Sequence, residues 1–167
     1  MADAARIHPL EDRLYGNNGV SLVPMEDRDR ISLRAEEKAI AALGKALGVK
    51  LPRIPRTSES KGEVSALWIG PDEWFVIAPA GTDLAGKTGK VRAGLFSAVP
   101  INHRNTAINV SGSNAELALN SGCPQDLSLA AFPVGACART IIGKAEVILW
   151  RTGEMEFHVE CWRSFSD

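Results

Sequence analysis

Cysteine is scarce in this chain, and what there is does not look like a redox framework. Cys123, Cys137 and Cys161 are odd in number, widely spaced and form no C-x-x-C pair. That usage suits a reducing compartment and thiols buried as small apolar groups. Histidine is as rare. His8 and His103 have no partner at metal-ligand spacing, so a metal site is not expected. An excess of one charge is missing too: 19 basic residues stand against 20 acidic ones, for a net charge of −1. With no block of like charge, binding of nucleic acid or membrane through a basic face is excluded. No apolar run approaches the length needed to span a bilayer, and the first residues lack the apolar core of a signal peptide. The expectation is a cytoplasmic protein. Nucleophile motifs around Ser, Cys or Lys are absent, as is a dinucleotide-binding glycine fingerprint.

What is present is an ordinary globular composition, 45% hydrophobic and 23% charged over 167 residues. That length supports one domain with a sizeable core, or two small lobes sharing one. Residues 1–30 are polar, carry Gly16-Asn-Asn-Gly19, and read as an arm. Residues 35–47 predict a helix, with Ala39, Ile40, Leu43 and Leu47 on one face and Gly48 as its stop. Residues 50–62 read as a loop. Residues 64–69 and 73–78 predict a hairpin turned by Gly70-Pro71-Asp72. Both of its strands are apolar on nearly every residue, so both faces must be covered, by this chain or by a partner. Trp68, Trp74 and Phe75 are therefore candidate interface residues, with simple core packing as the alternative.

Residues 82–97 predict a second helix with Asp83 as N-cap and Leu84, Val91 and Leu95 on one stripe. Residues 100–105 form a polar turn. Residues 106–110 alternate as a strand, and Ser113-Asn-Ala-Glu116 reads as a capping box opening a short helix that stops at Gly122. After a loop at 124–135, residues 136–142, 145–151 and 155–161 predict an antiparallel meander. In the last strand Glu156, His158 and Glu160 share one face, expected to be wet, opposite Phe157, Val159 and Cys161. Residues 164–167 look like the start of a further helix. The expected fold is α+β: two antiparallel-sheet and helix halves, about 31–100 and 101–167, sharing one core in a single domain at 31–167.

Two strings carry possible chemistry. Gly81-Thr-Asp-Leu-Ala-Gly86-Lys87-Thr88 fits G-x-x-x-x-G-K-[ST], the phosphate-cradling loop, and follows a predicted strand. Against it, Asp83 would put a carboxylate inside the phosphate nest. No later strand ends in the Asp required for Mg²⁺, since Val147-Ile-Leu-Trp150 leads into Arg151. An antiparallel meander is also the wrong sheet for such a site. A glycine-containing helix start explains the string better. His158 between Glu156 and Glu160 could handle protons, but a solvated strand face is the simpler reading.

Gly70-Pro-Asp-Glu-Trp74, Leu33-Arg34 and Leu47-Gly48 leading to Leu51-Pro52 resemble the N-terminal half of the sarcosine oxidase gamma subunit family. Ser121-Gly-Cys-Pro-Gln-Asp-Leu127, Ala131-Phe-Pro-Val-Gly-Ala-Cys-Ala-Arg-Thr140 and Arg163-Ser-Phe-Ser-Asp167 resemble its C-terminal half. The resemblance covers roughly residues 20–167, in the family's order. It implies a structural subunit of a heterotetramer with alpha, beta and delta partners, in which sarcosine is oxidatively demethylated to glycine. Hydrogen peroxide is formed, and the one-carbon unit leaves as formaldehyde or methylene-tetrahydrofolate. It places FAD, FMN, NAD and tetrahydrofolate in the large subunits and zinc in delta, with no catalytic, cofactor or metal residue here. The fold it implies is that of folate-binding aminomethyltransferase domains. Members continue past the matching Ser-Phe-Ser-Asp into an aromatic-rich helix, so the expectation is either uncovered apolar surface at that end or a shortened chain. The alternative is a stand-alone folate-binding or aminomethyl-transfer protein, which would need a pterin-binding carboxylate among Asp72, Glu73 and Asp126.

Overall fold

The computed structural model describes residues 9–166. In chain order its elements are β1 (Tyr15–Asn17), β2 (Val20–Pro24), β3 (Arg28–Ala35), α1 (Glu37–Leu47), β4 (Ser58–Lys61), β5 (Val64–Gly70) and β6 (Glu73–Pro79). Then come α2 (Leu84–Gly89), β7 (Phe96–Pro100), β8 (Asn105–Ser111), α3 (Ala115–Asn120), β9 (Cys137–Ile142), β10 (Ala145–Gly153) and β11 (Glu156–Trp162), ending in a 3-10 turn at Arg163–Phe165.

The strands form two antiparallel sheets. One has the order β4-β5-β6-β3-β7, the other β1-β2-β8-β11-β10-β9. Alternation sorts each strand's side chains between two layers. In the first sheet Ile31, Leu33, Ala66, Trp74, Val76 and Ala78 pack against Ala39, Leu43 and Leu47 of α1 and Leu84 of α2. Leu67, Phe75 and Ile77 point the other way and meet Cys137 and Ile148 of the second sheet. The second sheet's far face, with Val110, Val147, Leu149, Phe157 and Val159, is covered by α3 and by Leu127 and Phe132 of the following loop. The doubly apolar hairpin is thus covered on both faces by its own chain.

Helix α1 has the expected buried stripe and ends at Gly48, whose φ of 79° lets its N–H reach the Gly44 carbonyl. Each buried Leu or Ile on that stripe contributes about 1.5–3 kcal/mol. Asp83 caps α2, its carboxylate accepting from the Gly86 N–H at 2.9 Å.

Several expectations change. Residues 15–24, read as part of an arm, form a hairpin whose second strand pairs with β8, so this segment belongs to the second sheet. Residues 28–35 form the strand between β6 and β7, which the charges of Arg28, Asp29, Arg30 and Arg34 disguise. The second helix stops at Gly89, and 96–100 form an edge strand, leaving Leu95 exposed. Residues 58–61, read as loop, pair with β5. The capping box does not close: α3 starts from Asn114 without a side-chain cap, because the Glu116 carboxylate turns to Arg151 instead. Ser121, not a left-handed Gly122, ends that helix; Gly122 lies too close to Ile142 and Gly143 for a side chain to fit easily.

Candidate functional site

Arg30, His158 and Glu160, all buried, gather between the sheets. With Ile31, Leu33 and Ala35 turned to the helices, alternation sends Arg30 inward. On β11, Phe157, Val159 and Cys161 fill the outer core, which sends His158 and Glu160 inward to meet it. Arg30 Nε donates to both Glu160 oxygens, at 2.9 and 2.8 Å. Its guanidinium also donates to the Arg28 carbonyl at 3.0 Å. His158 Nε2 lies 2.8 Å from Glu160 Oε1. The three are only 2%, 1% and 5% exposed. The Trp150 ring sits 5.7 Å from the imidazole, centre to centre.

This overturns the expectation of a wet face. The second layer of the molecule covers His158 and Glu160; Glu156 at the strand's start reaches solvent, where Asn109 donates to it, as does Trp162 at the other end. Both Glu160 oxygens are engaged by Arg30 or His158, whereas a general base needs a lone pair within hydrogen-bond reach of substrate. A cavity of about 150 Å³ reaches Glu160 itself, between Ser32, Phe75 and Ile148. That is well below the roughly 300–1,000 Å³ typical of ligand pockets. Beside it Arg139 pairs with Glu73 at 2.7 Å, and Arg104 lies 5.3 Å over the Trp162 ring. The geometry describes a polar tie between two sheets.

The residues singled out from sequence fall elsewhere. Trp74 and Phe75 are buried within the chain, and Trp74 donates its indole N–H to the Pro52 carbonyl at 2.7 Å. Trp68 is half-buried against the helix-covered core. In the phosphate-loop string the Asp83 carboxylate lies over Gly86, taking its N–H and 2.0 Å from where a Cβ there would stand. Thr88 is buried, its hydroxyl within 3.1 Å of the Leu84 carbonyl and 3.0 Å of that of Ala85. The amide and hydroxyl that phosphate and Mg²⁺ would require are thus used internally. Asp72 is an exposed turn residue, Glu73 is paired as above, and Asp126 lies in the loop after α3. There the Ser128 backbone N–H holds its carboxyl below the usual range. These carboxylates do not gather into one site. His8 lies outside the described residues, and His103 lines a cleft of about 250 Å³ with Arg28, Asp29 and Asn102. No group among the described residues could hold a metal ion, and no helix there is long and apolar enough to cross a membrane.

Sequence reasoning missed Arg30 and Arg151. Ile31, Leu33 and Ala35 at every second position were the available signal for the first. Burial raises two thiols, Cys137 to about 12 and Cys161 to about 11, the latter helped by the negative charge of Glu160. Leu14, Leu95 and Leu117 are each more than two-thirds exposed, and Trp162 and Phe165 are also uncovered.

A family model described as the sarcosine oxidase, gamma subunit family matches residues 33–167. A sarcosine oxidase subunit gamma from Arthrobacter sp. is 36% identical over 121 residues, 71% of this chain and 60% of that protein. One from Corynebacterium sp. strain P-1 is 33% identical over 76% of this chain and 64% of its own length. The match therefore spans somewhat under two-thirds of these relatives. Among solved structures, heterotetrameric sarcosine oxidase from Corynebacterium sp. U-96 contains a similar chain, with a TM-score of 0.83 and 26% identity. The match covers 96% of this chain and 89% of that one. Aminomethyltransferase T from Bartonella henselae shares the fold, with a TM-score of 0.64 at 15% identity over 43% of its length.

Proposed function

The chain belongs to the sarcosine oxidase gamma subunit family, and on that premise we propose that it is a non-catalytic assembly subunit of a cytoplasmic, heterotetrameric sarcosine oxidase. Its partners in this reading are alpha, beta and delta subunits. The reaction served is oxidative demethylation of sarcosine to glycine, with hydrogen peroxide and formaldehyde or methylene-tetrahydrofolate as the other products. FAD, FMN, NAD, tetrahydrofolate and zinc are held by those partners.

The observation that carries the proposal is the likeness, over 96% of this chain, to a chain of a heterotetrameric sarcosine oxidase. The interior supports it. The buried ionisable groups Arg30, Glu160 and His158 are spent on one another, and Arg151 on Glu116 and two backbone carbonyls. The surface keeps large apolar side chains such as Leu14, Leu117 and Trp162 for contact. Co-expression with the large subunits is the test. Flavin-loaded, active complex should accumulate only when this chain is present; equal yield without it rejects the proposal. Tetrahydrofolate should leave the melting temperature of the isolated chain unchanged, since only a ligand bound to the folded state raises it. A clear rise would favour a folate-binding protein acting alone.

A further inference from the structure

Beside the C-terminal end of α1 lies a cleft of about 550 Å³, large enough for a drug-sized ligand. Every ionisable side chain lining it is a cation. Lys45 comes from the last turn of α1, Lys50 and Arg53 from the loop that follows, and Lys61 from β4. In a chain with 19 basic and 20 acidic residues, this segregation is local. Glu37 reaches Arg53 and offsets one of the four charges. Lys45, Lys50 and Lys61 are exposed.

The lining between them is apolar and partly bare backbone. Ile40, Val49 and Leu51 are buried residues that contribute to it. Gly44 packs so tightly on the loop that a Cβ there would stand 3.0 Å from the Val49 carbonyl oxygen, and Gly48 holds the left-handed turn. Neither can carry a side chain into the trough without strain.

This pairing of cations with an apolar lining selects ligand chemistry. A lone phosphate or carboxylate would fill a small part of the volume and leave the apolar lining in water. The last carbonyls of α1 carry the negative end of the helix dipole, which disfavours a compact polyanion at that end. A polypeptide spreads its carboxylates along a chain and brings apolar side chains with them. Lysines, as separated point charges, suit carboxylates spread along a chain better than one bidentate anion. We propose that this cleft docks an extended segment of another polypeptide in which acidic and apolar residues are interspersed. The inference is independent of the assembly reading, because it concerns what the isolated chain binds.

Fluorescence anisotropy on the full chain tests it, with a labelled peptide alternating Glu and Leu as probe. Binding is expected, weakening as salt rises, and the matching Lys–Leu peptide should not bind. Reversing three charges together (Lys45→Glu, Lys50→Glu and Lys61→Glu) should weaken binding roughly tenfold or more while circular dichroism shows the fold retained. Lys144→Glu, in a turn of the second sheet, should change nothing. Ala41→Trp, which puts bulk into the cleft and leaves its charge unchanged, should abolish binding. The proposal is overturned if the Glu–Leu peptide does not bind, or if either cleft variant binds it as well as the parent chain. It is also overturned if a glutamate-only peptide or inorganic phosphate binds as tightly, since the site would then read charge alone.

Discussion

Arg30 and Arg151 are both buried in mid-sheet, 2% and 0% exposed, yet they hold together different parts of the molecule. Arg30 points between the sheets and meets a carboxylate as buried as itself. Arg151 points to the outer layer, where it donates to Glu116, to the Glu154 carbonyl at 2.8 Å and to the Leu127 carbonyl. Its guanidinium rests 4.4 Å from the centre of the Phe157 ring, and its partner Glu116 is 39% exposed. The first arginine neutralises a carboxylate buried between the two sheets. The second anchors a cover that is irregular backbone, because α3 has only six residues and the loop after it must be tied down. Among the described residues, the cover of the first sheet, built on the eleven-residue α1 with its apolar stripe, holds no buried arginine. Where a cover lacks a regular helix, a buried cation takes over its hydrogen bonding.

Breaking the two ties should give effects of different size and kind. Arg30→Met strands the Glu160 carboxylate in the interior, and urea unfolding should register a loss of about 3–5 kcal/mol. Adding Glu160→Leu should recover most of it, because a buried pair is often no better than apolar residues of like volume. A double variant as unstable as the single one would mean the pair does more than neutralise itself. Arg151→Met should cost less, about 2–3 kcal/mol, and act locally. Hydrogen exchange should speed up in residues 123–132 while α1 stays protected. Asp83→Ala, which removes only a helix cap, should cost about 1 kcal/mol, with calorimetric titration of ATP-Mg²⁺ flat before and after.

The smallest effect concerns the thiols, one on each side of the second sheet. Cys137 faces the other sheet and Cys161 the outer core. Both stay protonated in the folded chain to about pH 12 and about pH 11, against an ordinary value of 9.0. The folded form therefore keeps protons that the unfolded form sheds. Their contribution is whole below pH 9.0 and declines as pH rises through those folded values. Cys137→Ala should flatten the alkaline limb of the stability profile; an unaltered limb would mean that other groups dominate it.

Much of the fold was legible in the sequence because it rests on local periodicity. The stripe of α1, the hairpin at 64–78 and the three closing strands follow from spacing and turn residues alone. Apart from residues 58–61, which pair with the neighbouring β5, the strands that escaped depended on pairing between distant segments. Residues 20–24 have a weak pattern and become a strand through β8, some ninety residues away. The strand at 28–35 carries the alternation Ile31, Leu33, Ala35, but its opposite positions are charged, and only the facing sheet makes a buried arginine tolerable there. The same blindness turned His158 and Glu160 into solvent-facing residues. A strand's polar face tells nothing of whether a second sheet lies over it.

In the proposed role, this chain gives shape and contact surface to a flavoenzyme and takes no part in its bond-making. The most direct measurement reconstitutes the complex with a chain carrying Arg30→Met together with Glu160→Leu, then reads sarcosine turnover per assembled, flavin-loaded heterotetramer. The account predicts the turnover of the parent complex. Intact assembly with turnover lost would contradict it, because the buried charges would then be part of the chemistry.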